Sequence, residues 1–192
     1  MKKVLAFALA LFCGESMADY SPYSTYVGFE VGQATTGFSV PDGDSTKFKN
    51  LFLHAYMGYN ICDYLSLEFG AFTTQSLNAS RDDRLGQAKF HGAHAGYIFP
   101  ISVPLVNRLE LLPGASLCVV KTDVYKGNIF KANSVEVVPR FTMAAQYSIS
   151  DTVKLKATFG WYALNCFSSS NSICLHDSIK MGVGMNYSFG LK

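Results

Sequence analysis

An all-β, eight-stranded antiparallel up-and-down barrel that spans a membrane is the fold this sequence predicts, and three observations carry it. The first is the stretch Ile179-Lys180-Met181-Gly182-Val183-Gly184-Met185-Asn186-Tyr187-Ser188-Phe189, whose odd positions are all apolar or aromatic and whose even positions are Lys, Gly, Gly, Asn and Ser. A period of two is that of a strand. The face opposite the greasy one is nearly bare of bulk, which suits the crowded polar inside of a narrow barrel surrounded by lipid. The second is composition: 49% of residues are hydrophobic and 14% aromatic, yet beyond the first fourteen residues no apolar run is present that approaches the ~20 residues of a membrane helix. A membrane chain without such a run must close a sheet on itself. The third is an alternation of long and short polar links, expected when one end of a barrel faces outside and the other the periplasm.

The N-terminus reads as a targeting segment. Met1-Lys2-Lys3 is its positive start, Val4 to Phe12 its apolar stretch and Ser16-Met17-Ala18 its small-x-small cleavage site, so residues 1–18 are expected to be removed as a signal peptide and 19–192 to form one barrel domain. Cys13 invites a lipoprotein reading, but Phe12 stands where that processing wants a small residue.

Eight alternating segments follow. The first, Tyr26 to Thr35, sends Val27, Phe29 and Val31 outward. The second sends out Leu51, Leu53, Ala55, Met57, Tyr59 and Ile61, and a tight turn at Cys62-Asp63 leads into the third, with Leu65, Leu67, Phe69 and Ala71 outward. The fourth, Lys89 to Phe99, faces Ala93, Ala95, Tyr97 and Phe99 to lipid. The fifth does so with Leu109, Leu111, Ala115, Leu117 and Val119, and the sixth with Val137, Phe141, Met143, Ala145 and Tyr147. Pro113 and Pro139 fall within these two and are expected to mark bulges or breaks, because proline cannot donate to a ladder. A turn at Ser150-Asp151 opens the seventh, with Val153, Leu155, Ala157, Phe159 and Trp161 outward, and the eighth closes the chain. Polar links at 41–50, 80–89, 126–134 and 168–171 are the long, outer ones. An even strand count places both termini in the periplasm. Tyr59, Tyr97, Phe99, Tyr147, Tyr187 and Phe189 are then the periplasmic aromatic belt.

The inward projection carries eight charges: Glu30, Glu68, Glu110, Glu136, Arg140, Lys154, Lys156 and Lys180. An eight-stranded barrel is just wide enough for side chains to fill, so these are expected to form a paired network that plugs the lumen, since an unpartnered charge there is costly. A gated pore whose pairs switch is the alternative. His54 and His94 project inward, while His91 and His176 lie near strand ends. With no Cys or carboxylate at ligand spacing, neither a metal site nor any other cofactor is expected. Cys166 and Cys174 flank the last outer link at the tops of neighbouring strands and are a candidate disulfide, whereas Cys62 and Cys118 project to different places and should stay unbridged. A net charge of +2 with scattered lysines and arginines argues against nucleic acid.

The pattern as a whole resembles the small eight-stranded outer-membrane barrels, the family of the outer-membrane protein A transmembrane domain, OmpX and related surface antigens. The closing Gly184-Met185-Asn186-Tyr187-Ser188-Phe189 resembles the Gly-x-x-aromatic-x-aromatic signal read by the barrel-assembly machinery, with Gly184, Tyr187 and Phe189 in the defining places and Gly190-Leu191-Lys192 added after it. The resemblance implies residence in the bacterial outer membrane as a monomer, among outer-membrane lipid and lipopolysaccharide. No peptidoglycan-binding domain follows the last strand, so the wall anchoring of longer relatives is not carried over.

Three functions remain open on the sequence. One is a structural or surface-interaction role, adhesion or host contact, with a host molecule or other surface ligand held by the outer loops. Another is a small pore. The third is a lipid A deacylase, suggested by Leu175-His176-Asp177-Ser178; there the family pattern wants Asn after the serine and a later Glu, and this chain has Ile179 and no later Glu. The first is preferred and no enzyme activity is expected. Lys47, Lys49, Arg81, Arg84, Lys126 and Lys131 near the outer rim could meet lipopolysaccharide phosphates.

Overall fold

The computed structural model describes residues 24–39, 45–76, 87–104, 106, 108–126, 129–163 and 174–190. Residues 1–18, expected to be a signal peptide, lie outside the described residues, as do Arg81, Arg84 and Cys166, and the side chains of Lys47, Lys126, Lys131, Cys174, His176 and Asp177 are likewise not described.

The strands are β1 (Ser24–Ser39), β2 (Ser45–Cys62), β3 (Leu65–Ser76), β4 (Gln87–Ile98), β5 (Ile101–Ser102), β6 (Leu109–Lys126), β7 (Ile129–Ser148), β8 (Val153–Tyr162) and β9 (Cys174–Gly190). Each pairs antiparallel with its neighbours in the order β4-β3-β2-β1-β9-β8-β7-β6-β5, and pairing of β4 with β6 closes the sheet. The two-residue β5 is no ninth stave: Ile98 faces Gly114 and Ile101 faces Leu111, one register on β6 interrupted at Phe99-Pro100. The result is a closed eight-stranded barrel, and the interrupted strand explains the long link at 101–107.

The two prolines behave differently from the sequence expectation. Neither shifts the register of the β6–β7 ladder, where Pro113 faces Met143 and Pro139 faces Leu117. Each instead turns its missing N–H toward a place where the other neighbouring ladder lapses. The Pro113 carbonyl accepts from the Phe99 amide at 2.8 Å at the β4/β5 break, and the Pro139 carbonyl accepts from Ala163 at 3.0 Å, just past the end of β8. Proline is harmless where no partner awaits its amide. Bulges occur elsewhere, at Thr36/Gly37, Asn60/Cys62 and Val124/Tyr125.

Several strands also run further toward the long links than the alternation suggests. Ser45 to Asn50 belongs to β2, and Ile129 to Ser134 to β7. Past the edge of the lipid the outward face need no longer be apolar, so the apolar-out signal disappears although the ladder continues.

The faces are those of a membrane barrel. Val183 is 62% exposed and Met181 59%, while Glu30 and Asn50 are sealed at 0% and Lys180 at 2%. An apolar exterior round a polar interior inverts a water-soluble barrel. Val27, Leu53 and Leu155 share that exposed exterior. Replacing Val183 by Arg should therefore lower unfolding stability in vesicles by about 2–4 kcal/mol, the cost of a midplane cation on the lipid face. Urea titration in vesicles of both proteins checks this, with an unchanged midpoint counting against lipid at that position.

Candidate functional site: the filled lumen

The lumen is stacked in layers along the barrel axis. At the mouth nearer the chain termini Lys154 Nζ lies 3.2 Å from Glu110 Oε2, which also accepts from Gln146 Nε2 at 2.8 Å. Asn186 joins them, accepting from Tyr56 Oη at 2.5 Å and donating to Gln146.

The middle layer is charged. Glu30 Oε2 accepts from Lys180 Nζ at 3.0 Å and from His54 Nδ1 at 2.7 Å. A carboxylate can only accept, so His54 Nδ1 carries the proton of that bond; in the neutral ring Nε2 is then free to accept from His94 Nε2, 2.7 Å away. The 3.3 Å approach of Lys180 Nζ to His54 Nδ1 follows from both groups donating to one oxygen. Glu68 Oε2 is held by Lys156 Nζ at 3.3 Å and by Tyr26 Oη at 3.3 Å. Lys156 sits 4.3 Å over the Tyr56 ring and Lys180 4.0 Å over Phe52, contacts that favour a cation in a dry setting.

Local sequence makes room for these side chains. Glu68 is flanked across the ladder by Gly58 and Gly96, Lys180 by Ala34 and Gly160, and Glu30 by Gly184 on one side. Gly70 lies beneath the two imidazoles, where a Cβ would meet both His54 Nε2 and His94 Nε2 well inside van der Waals contact. Small residues opposite long ones are how a narrow barrel is filled.

Toward the mouth far from the termini Phe52, Phe72, Phe90, Val120 and Tyr162 form an apolar layer around a cavity of about 30 Å³. A second cavity of about 30 Å³ lies at the end nearer the termini, between Tyr26, Glu110, Lys154 and Asn186. Each has room for a water or two, and the charged layer separates them.

Six of the eight projected charges are thus brought together as Glu30–Lys180, Glu68–Lys156 and Glu110–Lys154. Glu136 and Arg140 are inward and buried but make no ion pair among the described residues. Glu136 Oε1 and Arg140 Nε have no hydrogen-bond partner there, and the Arg140 guanidinium instead lies 5.9 Å from the centre of the Tyr162 ring. Standing four residues apart on β7, the two are separated by about 13 Å of strand, out of each other's reach. Sequence reasoning missed the hydrogen-bonding part of Tyr26, Tyr56 and Asn186, and the phenylalanine layer. Carrying the alternation one pair further, to Phe72 and Phe90, would have found that layer. Cys62 and Cys118 are free thiols. Ser178 faces inward, its Oγ 2.7 Å from Thr36 Oγ1. Tyr187 and Phe189 stand on the outer surface with ring centres 5.8 Å apart, and Gly184 lies against Glu30.

An apolar-coated, closed eight-stranded barrel with a polar filling defines a small outer-membrane barrel protein. The model of the OmpA-like transmembrane domain matches residues 22–191, and the chain belongs to that family. Among solved structures it is similar to Neisserial surface protein A (NspA), with 16% identity, a TM-score of 0.67 and coverage of 86% of this chain and 97% of that one. It is also similar to the N-terminal barrel domain of OprF from Pseudomonas aeruginosa (12% identity, TM-score 0.54, 85% and 97% covered). Ail, the attachment invasion locus protein of Yersinia pestis, shares the fold as well (11% identity, TM-score 0.51, 85% and 98% covered). At these identities the likeness is one of fold. None of the curated protein sequences matches.

Removing one partner of the sealed middle pair should be severe. Lys180→Met leaves Glu30 without its ammonium and should cost about 3–5 kcal/mol, whereas Glu30→Gln with Lys180→Met should recover a large part of that loss. Urea unfolding in vesicles of the single and double variants measures both, and equal losses in the two would count against a coupled pair.

Proposed function

We propose that the protein is a closed, non-conducting outer-membrane barrel acting as a structural or surface-interaction protein, its adhesive or host contacts made by extracellular loops. The observation that carries this reading is the sealed lumen, where two small separate cavities replace a path and the charged layer between them is buried. A rigid cylinder with no interior passage leaves binding to the loops it holds. In this reading residues 1–18 are removed on export, both termini lie in the periplasm, and Gly184, Tyr187 and Phe189 present the mark read by the barrel-assembly machinery. The barrel works as a monomer among lipopolysaccharide.

Catalysis is not part of the proposal. A lipid-cleaving serine must meet its substrate outside the barrel, whereas the Ser178 hydroxyl faces the lumen and is engaged by Thr36. For the loop ligand, a sulfated glycan is the first class to try, because Ail has been solved in complex with the heparin analogue sucrose octasulfate (12% identity, TM-score 0.50).

Two measurements test the reading. In planar bilayers the folded protein should give no conductance steps above baseline. Cells displaying it should adhere to immobilised heparin or to host-cell monolayers, and replacing residues 77–86 and 164–173 by short glycine-serine links should abolish adhesion without loss of folded barrel. A steady open channel, or adhesion unaffected by loop replacement, would overturn it.

A further inference from the structure

Opposite each other in the lumen stand a thiol and an imidazole nitrogen that the ion pairs leave unused. Cys118 is a free cysteine sealed at 0% exposure, and His94 Nδ1, on a side chain 5% exposed, is buried without a hydrogen-bond partner. The β4–β6 register sets His94 directly across from Cys118. Side chains so placed share a face of the sheet, with Cβ atoms about 4.5–5.5 Å apart. Metal bonds of about 2 Å to nitrogen and about 2.3 Å to sulfur let one ion bridge two such groups.

The imidazole is already prepared as a ligand. Glu30 fixes the proton of His54 on Nδ1, so His54 Nε2 accepts from His94 Nε2 at 2.7 Å, and the lone pair of His94 is left on Nδ1. Metal-bound histidines donate their other ring N–H in this way, which orients the ring and fixes its tautomer. Gly70, on the strand between β2 and β4, has no side chain to keep the two rings apart, and a Cβ there would fall 2.4 Å from His94 Nε2. An ion on His94 Nδ1 breaks none of these bonds.

We propose that Cys118 Sγ and His94 Nδ1 bind one monovalent copper ion between β4 and β6, with His54 and Glu30 orienting His94 behind it. Thiolate with imidazole is a soft donor set that selects Cu(I), a d10 ion that two ligands in line can satisfy. Among the described residues no set of three metal-ligating side chains is placed to hold an ion, which leaves zinc without the four ligands of a structural site. Charge balances as well: Cu(I) enters, the thiol proton leaves to solvent, and neither copper nor sulfur changes oxidation state. The net charge of the layer is therefore unaltered, although Lys180, Lys156 and Arg140 stand in it. The proposal goes beyond the loop-contact reading and does not depend on it.

The test uses the chain with Cys62→Ser, Cys166→Ser and Cys174→Ser, in which Cys118 is the single thiol of residues 19–192. It is folded into phosphatidylcholine vesicles with Cu(I) present and oxygen excluded, then washed with the Cu(I) chelator bicinchoninate. About one copper per chain should remain. Adding Cys118→Ser or His94→Gln should lower copper affinity by about 10–100-fold or more, the loss that removal of a mere second-shell partner already causes. Heat-modifiable gel mobility verifies that each variant is folded. Copper X-ray absorption of the loaded single-thiol protein needs no further variant and should show one sulfur and one nitrogen in line. A folded single-thiol chain that keeps no copper, a folded Cys118→Ser variant that keeps as much, or copper without a sulfur neighbour would each overturn the proposal.

Discussion

A peptide group has no water to bond with inside a bilayer, and every feature of this chain answers to that constraint. It is met at the seam where the first strand finds the last, Ser24 opposite Gly190 through Ser39 opposite Cys174, which turns a ribbon with two open edges into a cylinder with none. An open edge in hydrocarbon would leave a row of amides and carbonyls unpaired. The same demand explains why both prolines stand where a ladder already ends.

Closure at eight strands has a second consequence, because the lumen is then too narrow to stay empty and too polar to fill with hydrocarbon alone. The chain fills it by setting long charged or aromatic side chains over glycines of the neighbouring strand, as Glu68 lies between Gly58 and Gly96. Carboxylates and ammonium groups meet there at 3.0–3.3 Å, and Glu30 further holds a histidine that holds another. Such pairs add little net stability, but they are expensive to break from one side. On the proposed reading the barrel is a stiff plugged cylinder that works at its ends or on its outer wall.

Much of the fold was legible because lipid imposes a strict period of two. Val27, Phe29 and Val31, or Leu155, Ala157 and Phe159, cannot be read otherwise once helices are excluded. Legibility stopped where the constraint stops. Past the edge of the lipid, residues 45–50 and 129–134 keep their ladder without the apolar signal, so the alternation alone makes these strands too short. Within the lumen, alternation told which charges point inward but not which ones meet, because partnership depends on height around a sheared cylinder. Glu136 and Arg140 share a face of β7 and remain apart for that reason.

The central claim is that lipid surrounds the cylinder and the polar filling lies within it. The single tryptophan, Trp161, reports on this directly, since it stands on the outer wall of β8 with Phe141 stacked beside it at 5.8 Å. In vesicles its emission should be blue-shifted, strongly quenched by bromine-labelled acyl chains and nearly insensitive to aqueous acrylamide. Emission indifferent to the labelled lipid and quenched freely from water would contradict the account.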